Sequence, residues 1–238
     1  SIALANQMQQ LATSCIQQKL SELDLIKVQI ISGNYKDAIA MIEKKLRETP
    51  NDESVYLDLY HQFAKAKLNS NFKVTFKEIY EKYLINSDDF HVLNLDDTLV
   101  SRDGTDYFIS DFKNSYEKIS ANTISIKTAQ SLVNKYFLKA VFSSTRNVFF
   151  EEIKQDHKRR YIINDSILIS MKDGAVVPVV LIQRKGNVST KKAAILIASI
   201  YAGTNEAGAM LSASKGYVGV VANTRGKRLS SGEVKPFK

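Results

Sequence analysis

The apolar positions of this chain change their period once. From the start to about residue 158 they recur every three or four residues, as on a helix lying against a core. From about Arg160 they alternate with polar residues or run on without a break, as in strands. The clearest helical piece is "LDLIKVQIISGNYKDAIAMIEKKLRETPND". Leu23, Leu25, Ile26, Val28, Ile30 and Ile31 form one apolar helix, and Gly33-Asn34 interrupts it. Ala38, Ile39, Ile42 and Leu46 then recur at helical spacing, and Pro50 follows the end. This pattern predicts a helical hairpin. Its G-N-Y-x-x-A and terminal Pro resemble part of one tetratricopeptide repeat. No second copy follows at a period of about 34, and one repeat cannot bury its own face, so an ordinary hairpin is the better reading.

Further helices are predicted over 53–68, 73–84, 106–119, 126–141 and 147–157, with turn chemistry in "NSDDF" and "SRDGTD". The charges of "FFEEIKQDHKRR" read as a solvated helix face. Beyond them, "YIINDSILISMKDGAVVPVVLIQRKG" is two strand-like runs around Lys172-Asp173-Gly174, the signature of a hairpin turn. "KKAAILIASIY" is a short continuous apolar run, as expected of a strand covered on both faces. "AGAMLSASKG" predicts a short helix ending at Gly216, and "YVGVVANT" a further strand. The order hairpin, strand, helix, strand predicts a mixed sheet turning parallel. The fold expected is therefore α/β: an all-α domain over 1–158, then the first strands of a sheet over 159–238. As ordered in sequence, that sheet would end on the strand at 217–223, leaving an apolar edge for a missing C-terminal segment to cover.

Composition narrows the function classes. Apolar residues make up 44% of the 238, enough for a sizeable core, and there are 3 Pro and 10 Gly. The single cysteine, Cys15, lies in a helical pattern and reads as a buried, inert thiol. His61, His91 and His157 lie far apart without Cys partners, so no metal site is expected. The net charge of +8 raises the question of nucleic acid. Most of it sits at the end of the chain, on Lys215, Arg225, Lys227, Arg228, Lys235 and Lys238, against Glu233. No aromatics are interleaved among the bases from Arg225 to Lys235, as a single-strand binder would need, and nucleic-acid binding is not expected. No apolar run reaches the roughly 18 residues of a membrane span. The compartment stays open, with a periplasmic or secreted enzyme slightly favoured over a cytoplasmic one.

One motif is a decoy. "HVLNLDDTLVSRDG" imitates the D-x-D-x-T signature of haloacid-dehalogenase-type phosphatases, whose first Asp is the nucleophile. Asn94 holds that place, ahead of Asp96 and Thr98, and an amide cannot form an aspartyl-phosphate. Asp96 and Asp97 are expected instead as a helix cap or a surface turn.

Four pieces in order carry a resemblance: "ILISMKDGAVVPVVLIQRKG", "ILIASIYAGTN", "SKGYVGVVANTRG" and "RLSSGEVKPF", spanning roughly residues 166 to 237. Together they resemble the start of an α/β-hydrolase of the X-Pro dipeptidyl-peptidase and cocaine-esterase-like group: the first hairpin, a strand ending in Tyr, a G-Y-x-V-V-x-x-D-x-R-G strand and an S-x-G-x-x-x-P-F loop. The resemblance implies a serine hydrolase acting on acyl esters or X-Pro peptides through an acyl-enzyme, with no cofactor. It places Tyr201 as an oxyanion-hole hydroxyl, a kind of donor whose loss costs about 3 kcal/mol. Arg225 and Gly226 would support the loop, and Asn223 stands where the family usually has Asp. The nucleophile elbow, G-x-S-x-G or a relative, occurs nowhere in these residues. By the family's order of serine, acid and histidine, all three triad members would lie beyond Lys238, and none of the three histidines would serve as base. The expected partners are then the rest of the catalytic domain and a small acyl substrate. The alternative is a non-catalytic helical interaction module with an accessory β part.

Overall fold

The computed structural model describes residues 2–48, 54–119, 123–186, 191–199 and 206–223. Nine helices and four strands follow one another there: α1 (Ile2–Cys15), α2 (Glu22–Ser32), α3 (Tyr35–Glu48), α4 (Ser54–Lys67), α5 (Phe72–Asn86), α6 (Asp89–Leu95), a π-helical stretch Asp96–Ser101, α7 (Thr105–Glu117), α8 (Ile126–Arg160), β1 (Tyr161–Ser170), β2 (Val176–Arg184), β3 (Ala194–Ser199), α9 (Glu206–Ser214) and β4 (Val218–Asn223). They form two compact units. One holds residues 1–83 and 98–152; the other holds 84–97 and 153–238.

The first unit is all helix. The hairpin forms where its pattern places it, as α2 and α3. Ser21 caps α2 by accepting the Asp24 N–H, and Gly33 closes it at φ 86° with its own N–H turned back onto the Gln29 and Ile30 carbonyls. That left-handed angle is strained for any residue with a Cβ. Ala12, Cys15, Val28, Ala129 and Val133 bury together, and so do Met8, Phe112 and Leu132. Burial pushes the Cys15 thiol above its ordinary pKa, as an inert thiol requires. A ladder of rings, Phe63, Phe72, Phe76 and Tyr80, continues the core with centroids 5.2–5.7 Å apart, and Tyr60 meets Phe137 edge-on at 4.7 Å.

The helices expected over 126–141 and 147–157 are one helix, α8, of 35 residues. "FSSTRN" reads as a break but does not act as one. Ser144 donates to the Ala140 carbonyl at 2.6 Å and Thr145 to Val141 at 2.8 Å, so both hydroxyls are absorbed by the helix. Val141, Phe142 and Phe149 are buried on either side and hold the helix straight through.

The second unit is built on a four-stranded sheet in the order β1-β2-β4-β3. β1 and β2 are the expected hairpin. Its turn closes with Met171 and Ala175 hydrogen-bonded at 2.8 Å and Gly174 at φ 82°. A register shift between Asn164 and Ile167 puts a bulge in β1. β4 runs antiparallel to β2 and parallel to β3, with α9 as the crossover. Sequence order put β4 at the sheet's edge; the structure corrects this. β4 slots between β2 and β3, as a parallel crossover allows, so the edges among the described strands are β1 and β3. The expectation that β3 is covered on both faces also fails: Leu196 is 64% exposed and Ile195 39%, because β3 is an edge strand rather than a central one.

The core of this unit lies on one face of the sheet. Tyr161, Val180, Ile182 and Val221 pack with Leu93 of α6 and Ala209, Met210 and Ala213 of α9. The approach of α9 to β4 is close: a Cβ built on Gly219 would lie 2.1 Å from the Ala209 carbonyl oxygen. Here glycine is a packing requirement.

Candidate functional site

β3 and β4 run parallel and in register, ending together at Ser199 and Asn223. In open α/β sheets the carboxyl ends of the strands are where ligands bind. Residues 200–205, which carry Tyr201, join that end of β3 to the start of α9. Asn223 is buried at the end of β4, and its Nδ2 has no hydrogen-bond partner among the described residues. Of the residues singled out from the sequence, Asn223 is the last residue of β4. Tyr201, Arg225 and Gly226 lie outside the described residues.

Two side-chain clusters in the same unit carried no sequence signal. The first is organised by Asp89, the first residue of α6. Asp88 caps that helix by accepting the His91 N–H at 2.8 Å. Its neighbour Asp89 turns inward and takes Arg184 of β2 with both carboxylate oxygens, Nε to Oδ2 at 2.6 Å and Nη2 to Oδ1 at 2.8 Å. Arg160, at the last position of α8, donates Nη1 to the same Oδ1 at 2.7 Å and Nε to Asp156 at 2.5 Å. Its Nη2 reaches the Leu84 and Ser87 carbonyls at 2.6 and 2.9 Å. Arg160 thus satisfies carbonyls at the end of α5 that helix geometry leaves open. The hydrogen bonds from Arg184, and next those from Arg160, hold the Asp89 carboxyl down at about 2 against the opposing effect of burial. Burial, and then the Asp89 carboxylate, push the Tyr161 phenol above its ordinary range.

A cleft of about 640 Å³ opens over this cluster, with Phe90, Arg184, Ser214 and Lys215 along it. Two arginines in a cleft look like an anion trap. Nε and Nη2 of Arg184 are held by Asp89, and Arg160 is held by Asp89, Asp156 and two carbonyls, so the cluster is a clamp fixing α6 and the end of α8 to the hairpin.

The second cluster is Asp96, His157 and Glu206. Asp96 stands at the C-cap of α6, its N–H on the Val92 and Leu93 carbonyls, and with Asp97 opens the π-helical stretch that follows, while the side chain that caps the helix's N-terminus is Asp88. His157 is buried, with Nδ1 3.8 Å from Asp96 Oδ2, too far for a hydrogen bond. Burial pushes the imidazole below its ordinary pKa, opposed by Asp96 and Asp156. Burial pushes the Asp96 carboxyl up, which His157 opposes and Asp97 and Glu206 reinforce. Nε2 of His157 is buried and finds no partner among the described residues. The other buried histidine, His61, is committed to Glu43 at 3.0 Å in the helical unit.

Among the described residues no three His, Cys, Asp or Glu side chains converge as a metal site, and no helix is long and apolar enough to cross a membrane. No family model, curated protein or solved structure matches the chain.

Proposed function

We propose that this chain is the N-terminal portion of a serine hydrolase of the α/β-hydrolase type, cleaving acyl esters or X-Pro peptides, whose nucleophile, acid and base come from outside residues 1–238. One observation carries the reading. The hairpin, β3, α9 and β4 occur in the order the four motifs imply, and the parallel pair ends at Asn223 beside the point where the Tyr201 segment leaves β3. Tyr201 would donate its hydroxyl to the oxyanion of the tetrahedral intermediate. Arg225 and Gly226 would shape the loop after β4, with Asn223 as the buried anchor before it. The serine would attack the acyl carbon, histidine would take its proton and return it to the leaving group, and water would release the acyl-enzyme.

Assays on p-nitrophenyl esters and X-Pro anilides test this. Residues 1–238 alone are expected to be inert. A product of the same reading frame that carries an elbow serine is expected to turn over, and Tyr201→Phe in it to lose about 100-fold in kcat. Robust turnover by residues 1–238 alone would overturn the triad assignment.

A second reading, a helical interaction module, draws on a groove of about 590 Å³ in the first unit. Met8, Leu11, Tyr116, Ile119, Ile124 and Leu132 lie along it. A reading frame with no elbow serine would favour that module.

A further inference from the structure

Three helices of the sheet unit meet at one imidazole. His157, in the last turn of α8, is 7% exposed. Asp96, at the end of α6, faces its Nδ1 from 3.8 Å, and Asp97 stands beside Asp96 at the start of the π-helical stretch. Such stretches are uncommon and collect at functional places. Glu206, in the first turn of α9, acts on both His157 and Asp96. On α8 itself Asp156 and Arg160 act on the ring, and from β1 the ring of Tyr161 meets it edge-on at 6.3 Å. A charged imidazole carries two N–H donors, and each wants an acceptor. Asp96 stands beyond hydrogen-bond distance of one, and the other is shut off from water.

We propose that His157 is an acid-sensitive latch: neutral, it lets α6, α8 and α9 close around it, and on taking a proton it opens the first turn of α9 to water. Asp96, Asp156 and Glu206 favour the charged ring, while burial and Arg160 oppose it. Burial is the largest of these effects and holds the imidazole below its ordinary value of 6.5. Opening returns the ring to water and to that value. The closed arrangement therefore binds the proton more weakly than the open one. Its advantage is whole above pH 6.5 and shrinks as pH falls below it. Asp96 works the other way. Burial displaces its carboxyl upward, so its proton favours the closed arrangement once the pH is lower still. The latch is read between these two ranges. Of the three helices α9 is the one free to yield. Asp89 holds α6 to Arg160 and Arg184, and α8 runs for 35 residues. The buried side chains of α9 begin only at Ala209, so Glu206 and its turn have no apolar anchor of their own. The end that opens is the one joined to residues 200–205, which carry Tyr201. Nothing in the latch depends on the hydrolase reading.

Amide exchange of the whole chain, read by mass spectrometry and corrected for the intrinsic effect of pH on exchange, tests this. Protection of the α9 peptide is expected to fall by up to about tenfold between pH 7.5 and pH 5.5, because opening takes up one proton. Protection of α4 is expected to hold. His157→Gln should abolish the fall, and His91→Gln should keep it. If His157→Gln does not fold, the unaltered chain still decides: the His157 ring signals, followed by NMR, must titrate over the same pH range as the loss of protection. Protection of α9 that is unchanged or higher at pH 5.5 overturns the proposal. So does a fall of the same size in His157→Gln, or a ring titration that does not track the opening.

Discussion

Arg184 grips Asp89 with two parallel hydrogen bonds, and Arg160 holds the same carboxylate from the end of α8. One acid is therefore shared by two cations contributed by a helix end and a strand, Asp156 also pairing with Arg160. Removing it leaves both without their shared partner. Asp89→Ala is expected to cost about 3–5 kcal/mol, read as the denaturant midpoint of the sheet unit. Arg184→Met should cost less than Arg160→Met, because Arg184 is 43% exposed while Arg160 is 11% exposed and also serves two carbonyls. The reverse order would mean the clamp is centred on the hairpin.

The same carboxylate sets an acid limit. Its folded pKa, at about 2, lies below the ordinary value of 3.8, so the folded state holds fewer protons between the two. The stability it contributes is present above the ordinary value and is lost as pH falls through about 2. By linkage this amounts to about 2 kcal/mol. Chemical denaturation at pH 5 and pH 2.5 should show the loss, and Asp89→Asn should remove that part of the pH dependence.

Gly219 and Gly174 make a matched pair for substitution. A methyl group on Gly219 meets the backbone of α9, which cannot swing aside, and Gly219→Ala is expected to separate α9 from β4 and cost roughly 3 kcal/mol or more. Gly174 has open space around it and only its φ of 82° to protect, so Gly174→Ala should cost about 1–2 kcal/mol. Thermal melts of the two variants compare them directly; equal losses would argue against the close approach.

Ser144 lies where the sequence pattern pauses. In a loop, proline there would be harmless. In a continuous α8 it removes a helix hydrogen bond and strikes the preceding turn, so Ser144→Pro is expected to cost about 3 kcal/mol or more. Ser144→Ala, which only frees the Ala140 carbonyl, should leave the melting temperature nearly unchanged.

Local features of the fold were legible and relational ones were not. Gly33 and Gly174 announce their turns because only a residue without a Cβ takes those angles cheaply. The change of period near Arg160 coincides with the junction of α8 and β1. The place of β4 between β2 and β3 leaves no trace in the order of elements, since a crossover can set a strand on either side of its predecessor. Continuity through "FSSTRN" depends on hydroxyls bonding back to carbonyls four residues earlier, and the same residues would cap or break a helix elsewhere. At the candidate site, the apolar run of "YVGVVANT" implied a strand, and Asn223 is its last residue. Asp89 sits in "NSDDF" beside a true capping acid, and nothing local separates the Asp that caps from the one that turns inward to two arginines. His157 looked like one more charge on a solvated face, and only the packing around it shows it enclosed.

The bulge between Asn164 and Ile167 gives the sheet two unlike rims. A ribbon with two straight rims can recruit neighbours on both sides and lengthen without limit, as in a fibril. Here the β1 rim is kinked out of register, and growth there would have to bridge an irregular gap. The kink in β1 thus works against strand addition at that rim.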